Sequence, residues 1–384
     1  MHPTLCCNCG KTEKSGSFEK PQGLIDVRRR KPATRTGFRL AGLAAATGIA
    51  AASPAWAETL ESAMARAYGG NPQLNAGRAG VRATDETVAQ AQAGYRPTVA
   101  VSADIGLQQF EGQQSGSPRN LTTRPGGAGL TVNQTLFNGF QTDNNTRRAE
   151  SNVLSQRESL RFTETTTLFN AAQSYMDVLR DTATLELNRN NVEVLEEQLR
   201  QTRDRFNVGE VTRTDVAQAE ARLAGARSQV SASESQLRSS IGIYRQVIGV
   251  EPRQLSPGRP LDRYVPGNLN AAIDIGLKEN PQIASALHAV DSAEAQVKVL
   301  EGQLYPQVGL TGQVAQRYDT LFPGDNGLTA SIVGRITIPI YEGGQTYSQI
   351  RQAKELVGQT RLQAEFVRDQ IRSAIVTTWG QLEA

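Results

Sequence analysis

The chain has 384 residues, with 41 Lys and Arg against 38 Asp and Glu, three Cys, two His and 5% aromatic residues. So few aromatic side chains argue against a set of thick globular cores. No apolar run reaches the ~18 residues that a membrane-crossing helix needs, so any crossing of a bilayer must be made by strands.

In chain order, residues 1–57 come first and differ from the rest. Arg28, Arg29, Arg30, Lys31 and Arg39 form a basic stretch, Leu40 to Ala52 an Ala-rich apolar one, and Ala55-Trp56-Ala57 a small-x-small cleavage site. This is the layout of a secretory signal, with cleavage expected after Ala57. The length upstream of the basic cluster leaves room for a start codon further in than Met1. Removing the segment leaves 32 basic against 35 acidic residues, so the positive balance belongs to the leader and a nucleic-acid partner loses its electrostatic motive. Cys6, Cys7 and Cys9 leave with it, and their spacing does not supply a four-ligand zinc set. With His288 the one remaining histidine, metal or acid–base chemistry centred on imidazole is not expected. No catalytic, cofactor-binding or metal residue is predicted.

The remainder is an internal repeat. Asn71-Pro72-Gln73-Leu74 recurs as Asn280-Pro281-Gln282-Ile283, and Tyr95-Arg96-Pro97 as Leu304-Tyr305-Pro306, both at an offset of 209 residues. Phe137-Asn138-Gly139-Phe140-Gln141-Thr142 recurs as Tyr341-Glu342-Gly343-Gly344-Gln345-Thr346 at an offset of 204. Each copy predicts a short helix (Thr59 to Tyr68; Leu269 to Lys278), then an Asn-Pro start to a second helix that ends near the next Pro. The period then changes to two. Val99, Val101, Ala103, Ile105 and Leu107 alternate with polar or small residues, as do Val308, Leu310 and Val314. Beyond a Gly/Ser/Pro-rich loop, Ala128, Leu130, Val132 and Leu136 predict a returning strand, matched by Leu328, Ala330, Ile332, Ile336 and Ile338. Each half therefore carries one β-hairpin.

From about Asp143 to Phe206 there is no Pro or Gly, and apolar residues recur every three or four positions, which predicts one helix of ~95 Å. Its charges, among them Arg189, Glu193, Glu196, Glu197, Arg200, Arg203 and Asp204, are expected to form a solvated face. Gly209 is placed to end this helix, and Thr212 with Asp215 resembles a capping box that starts another near Asp215. The product is a long antiparallel hairpin, whose tip reads equally well as a good turn or as a docking surface.

Four strands cannot close a barrel alone, and open edges in lipid leave backbone groups unsatisfied. Copies must therefore associate. Two would give eight strands with a filled interior, and three would give twelve with a lumen.

The order of Asn-Pro-x-[Leu/Ile], Tyr-x-Pro, the hairpin, Leu136-Phe137-Asn138-Gly139-Phe140 and the tip Phe206-x-Val-Gly-x-x-Thr-x-Thr-Asp-Val resembles the TolC family of trimeric outer-membrane channels, above all its type I secretion branch. The resemblance spans Glu58 to Ala384. It implies an α+β fold: long antiparallel helical hairpins forming a periplasmic tunnel, and two β-hairpins giving four strands to a trimeric twelve-stranded barrel. The implied organisation is a leader at 1–57, periplasmic helices at 58–97, a β-hairpin at 98–136, a helical hairpin at 137–250 with its tip at 207–214, and an equatorial linker at 251–268. Second-repeat helices at 269–306, a second β-hairpin at 307–340 and the start of a second helical hairpin at 341–384 follow. Implied partners are two further copies, a periplasmic adaptor, an inner-membrane ABC or proton-driven transporter and outer-membrane lipid. Val208, Gly209, Glu210, Val211 and Thr212 match the family's adaptor-docking tip, and Thr214 and Asp215 its tunnel-closing latch. Glu58 stands where the lipid-anchored branch has Cys, so no anchor is expected. By the repeat, Trp379 corresponds to Tyr175, and the sequence is expected to be a C-terminally truncated member lacking its second tip. A periplasmic adaptor with a long helical hairpin is the competing reading, and a secreted enzyme on a helical scaffold a third.

Overall fold

The computed structural model describes residues 58–114, 117–258, 264–320 and 323–384. The predicted signal and the three cysteines lie outside them. Helix α1 (Leu60–Gly70) and α2 (Pro72–Gln92) lead into strands β1 (Thr98–Ile105), β2 (Gln108–Gln114), β3 (Ser117–Thr123) and β4 (Gly126–Asn138). Helices α3 (Gln141–Asn207) and α4 (Arg213–Ile248) complete the first half. The second half runs α5 (Leu269–Glu279), α6 (Pro281–Glu301), β5 (Gln307–Tyr318), β6 (Asn326–Thr337) and α7 (Gln345–Glu383).

The repeat reuses the same local devices. Asn71 Oδ1 accepts the backbone N–H of Gln73 and Leu74, and Asn280 Oδ1 that of Gln282, each ahead of a proline in the first turn. A short polar side chain satisfies the free N–H groups there while proline gives up an N–H that had no helical partner. At the strand-to-helix turn, Gly139 (φ +66°) and Phe140 (φ +61°) match Gly343 (φ +62°) and Gly344 (φ +85°). The residue before each turn bonds the threonine after it: Asn138 Nδ2 donates to Thr142 Oγ1 at 2.7 Å, and Thr346 Oγ1 donates to Glu342. Both threonines are buried.

The sheet order is β1-β4-β5-β6, all antiparallel, so the two hairpins join through β4 and β5. The loop expected inside the first hairpin is instead a second antiparallel ribbon, β2 with β3. It follows a break at Gly106 and Pro125, bridged by the Gly106 N–H to the Pro125 carbonyl at 2.7 Å; proline has no N–H to return. A bulge at Leu136 takes that residue out of the ladder. Strand β6 ends at Thr337, which leaves Ile338, expected on the strand, beyond it, next to Pro339.

Helix α3, of 67 residues, spans ~100 Å at 1.5 Å per residue. Its early turns meet α6, where the Ser155 and Ser285 hydroxyls lie 3.0 Å apart, and its later turns meet α4. Thr167, Ala171, Ser174, Val178, Asp181 and Leu185 are buried at spacings of three and four, a coiled-coil-like seam. Part of the face expected to be merely solvated is paired with α4. Arg189 meets Glu234 at 2.7 Å, Glu196 meets Arg227 at 2.7 Å and Arg203 meets Glu220 at 2.6 Å. Partners recur every seven residues in opposite directions and alternate in sign, so each exposed pair is individually weak while the set favours one register. Helix α4 starts at Arg213, two residues before the expected Asp215.

Asp181 locks the seam. Burial pushes its carboxyl pKa up, but bonds from Ser240, Arg180 and Gln236 outweigh this and hold it below the usual range. Asp181→Ala is expected to cost about 2 kcal/mol at neutral pH, since it strands a charge-assisted network. Because the folded pKa is the lower one, this stabilisation is full above the unfolded value near 3.9 and is lost as pH falls below it. Urea unfolding followed by circular dichroism should show the gap between wild type and variant closing in acid.

Candidate functional site

Cross-strand neighbours share a face of a sheet, and the pairing sorts these strands into two chemistries. Val99 pairs Val132, Val101 pairs Leu130, Leu130 pairs Val314, Val314 pairs Ala330, and Gly312 pairs Ile332. In these rows the face is apolar from edge to edge, with Gln134 and Gln316 lying further along it, and it is open: Ile105 is 91% exposed and Ile332 80%. The opposite face carries Ser102, Asp104, Thr131, Asn133, Thr311, Gln313, Arg317, Ser331 and Arg335. On it Thr311 Oγ1 donates to Asn133 at 2.9 Å and Arg317 Nη1 to Asp104 at 2.6 Å. A polar trough of about 630 Å³ runs there between Thr135, Gln307, Thr311, Gln313, Ser331 and Arg335. The apolar stretch of β6, Leu328 to Ile336, is ~27 Å long at 3.3–3.4 Å per residue, which matches the ~25 Å band of a spanning strand. Among the described residues no helix is long and apolar enough to cross a membrane. The charged members of the polar face were readable from their parity with Thr98 and Ser102, though the sequence reading did not single them out.

The second feature is the turn between α3 and α4. The Glu210 N–H donates to the Arg205 carbonyl and the Gly209 N–H to that of Phe206, each at 2.9 Å, with Gly209 at φ +84°. These two bonds close the helix as a Schellman motif. Arg205 Nε and Glu210 Oε2, 3.0 Å apart, stand where an apolar contact is usual. Thr212 then opens α4: its hydroxyl accepts the Asp215 N–H, while Asp215 Oδ2 accepts the Thr212 N–H at 2.8 Å and its hydroxyl at 2.7 Å. The hydroxyl bond, then the backbone bond, hold the Asp215 carboxyl below the usual range. Thr214 sits exposed in the first turn of α4. Val208 is 73% exposed and Val211 half-buried, beside a groove of about 250 Å³ lined by Leu195, Gln198, Thr202, Asp215 and Gln218. The tip is thus rigid in its backbone and apolar at its outermost side chain.

The family model described as outer membrane efflux protein matches residues 63–248 and 272–381. The chain belongs to the outer membrane efflux protein family. It is 41% identical over 340 residues to the outer membrane efflux protein BepC of Brucella suis, covering 88% of this chain and 72% of that one. Against the outer membrane protein TolC of Escherichia coli identity is 25% over 317 residues, covering 78% and 62%; the chain therefore spans about three-fifths of TolC. The crystal structure of VceC from Vibrio cholerae superposes with a TM-score of 0.69 at 18% identity, over 84% of this chain and 79% of that one, a likeness of fold. The family is one of transport channels rather than enzymes, and this efflux-family chain is an outer-membrane channel component with its helical part in the periplasm. Family membership and the two-faced sheet set aside the adaptor reading.

Proposed function

We propose that three copies of this chain close a twelve-stranded barrel, with the polar face lining a passive conduit and the apolar face against lipid. The observation that carries this reading is the four-stranded sheet, apolar on one side and polar on the other, with both edges, β1 and β6, unpaired among the described residues. Unpaired backbone groups are costly in hydrocarbon, and twelve strands are the smallest multiple of four that leaves a lumen. Energy for export comes from an inner-membrane transporter, either an ABC or a proton-driven one, reached through a periplasmic adaptor. The name of BepC supports efflux as the task. Extraction of outer membranes should yield a heat-sensitive trimer; recovery of the chain only as a soluble monomer would sink the proposal.

Within it, Val208, Gly209, Glu210, Val211 and Thr212 form the adaptor-docking tip, supported by the exposure of Val208 and the rigid turn beneath it. Thr214 and Asp215 form the latch: Oδ2 of Asp215 serves the cap, and its other oxygen keeps acceptor capacity for a donor on another hairpin. Val208→Asp with Val211→Asp is expected to lower export at least about tenfold, the equivalent of ~1.4 kcal/mol of lost docking, with the trimer unchanged on gels. Export at the wild-type rate would remove the tip from the docking surface.

A further inference from the structure

We propose that Arg335 forms an ion pair with the partner subunit's Asp104 across the seam between copies, and that this pair fixes the register of the barrel. The inference rests on the trimeric reading above and deepens it.

The internal repeat supplies the geometry. Strand β1 maps onto β5 by the 209-residue offset and β4 onto β6 by the 204-residue offset. The ladders obey the same mapping, because Val99 pairs Val132 in the first hairpin and Val308 pairs Ile336 in the second. The junction inside the chain is β4 with β5. Moved one repeat onward, the same junction places β6 beside the partner subunit's β1, and among the described residues those are the two edge strands of the four-stranded sheet.

Thr131 pairs Gln313 in the internal junction. Moving Thr131 forward by 204 and Gln313 back by 209 sets Arg335 opposite the partner subunit's Asp104. These are the single charged residues of β6 and β1, and they are opposite in sign. Among the described residues Arg335 makes no ion pair. The neighbouring rows agree. The hydrogen-bonded pair Asn133 and Thr311 becomes Thr337 opposite Ser102, two hydroxyls. Leu130 and Val314 become Gly334 opposite Ile105, and Val132 and Gly312 become Ile336 opposite Ala103, so large side chains meet small ones. A slip of one residue would turn Arg335 to the lipid side, and a slip of two would set it against Ser102 or Gly106. Only the proposed register joins the charges.

Asp104 can serve two arginines. Its Oδ2 accepts Arg317 Nη1 from β5, reaching over β4 at Gly127, where a Cβ would stand 2.9 Å from Arg317 Cδ. The other carboxylate oxygen remains for the second guanidinium. The result is an Arg317–Asp104–Arg335 row repeated at each seam on the polar face.

Residues 58–384 contain no cysteine, which suits oxidative cross-linking of the full chain in outer membranes. Asp104→Cys with Arg335→Cys is expected to give covalent dimers and trimers on non-reducing gels as the dominant product. Ser102→Cys with Arg335→Cys and Gly106→Cys with Arg335→Cys test the two slips. Equal or better cross-linking in either slip pair, or none at 104 and 335, overturns the register. Assembly is read separately by native mass in detergent: a trimer with the wrong cross-links overturns this inference alone, and absence of a trimer overturns the proposed function as well. The charge is tested by Arg335→Glu, expected to lose the SDS-resistant trimer, and Arg335→Lys, expected to keep it. An Arg335→Glu trimer as heat-resistant as wild type would remove the ion pair.

Discussion

Gly139→Ala is expected to cost about 3–5 kcal/mol and Gly343→Ala only about 1–2, although the two glycines occupy equivalent turns of the repeat. Both have positive φ, so both variants carry the strain of a left-handed backbone. The difference lies in what surrounds them. A Cβ at Gly139 would stand 2.1 Å from the Gly302 carbonyl oxygen and 2.8 Å from Tyr305 Cβ, whereas nothing lies within 4 Å of one at Gly343. A Cβ at Gly302 would in turn meet the Gly139 carbonyl at 2.5 Å. The turn leaving β4 and the turn entering β5 thus touch backbone to backbone, at the point where the two hairpins are joined. Backbone cannot rotate away as a long side chain can, so the first variant must part the junction. Urea titration of the two variants beside wild type gives the comparison; equal midpoints would show that the contact carries no energy.

Tyr175→Ala is expected to be the most damaging truncation in the helical part, at about 3–5 kcal/mol, and Tyr175→Phe to cost about 1–2. The ring is fully buried with Ala63, Ala67, Ala171, Val178, Tyr244 and Ile248. Its hydroxyl lies 2.7 Å from both the Glu58 and the Ser256 carbonyl oxygens, which sit in the short parallel bridge of Glu58 with Leu255. One side chain on α3 therefore ties down the start of the described chain and the segment after α4. Burial pushes the phenol's pKa up, so the contribution is full below the ordinary tyrosine value near 10 and is lost as pH rises above it. Thermal unfolding of both variants across that range tests the cost and the sign. Trp379, its counterpart in the repeat, is half-buried and bonds within its own helix to Glu383 at 2.6 Å.

The repeat made much of this fold legible. Asn71 and Asn280 announced helix starts through an acceptor placed before proline, and Thr212 with Asp215 announced the cap of α4, because both devices are complete within four residues. The two-faced sheet was equally readable, since one wet and one dry face impose a period of two. The β2–β3 ribbon left no such trace: across Gln108–Gln114 a single apolar residue, Phe110, stands among Gln, Glu and Gly, too little to set a phase. Phe140 hid its left-handed backbone because that conformation belongs to glycine in the other copy; the ring stands edge-on to Phe137 at 5.2 Å. The Tyr175 network and the Arg189–Glu234 ladder depend on partners far apart in sequence, which only the hairpin's register brings together. Of the tip, the turn and cap were readable, while the Arg205–Glu210 pair replacing an apolar contact was not.

The open sheet has a cost before assembly. A newly exported copy in an aqueous compartment would present a wet hydrocarbon surface and two ragged ladders ready to template onto any stray strand. Maturation is then a race between productive encounters, whose rate climbs steeply with local abundance, and irreversible clumping. Holdase chaperones that shield the strands during transit would tilt that race, and starving the cell of them should lower channel number more than transcript level does.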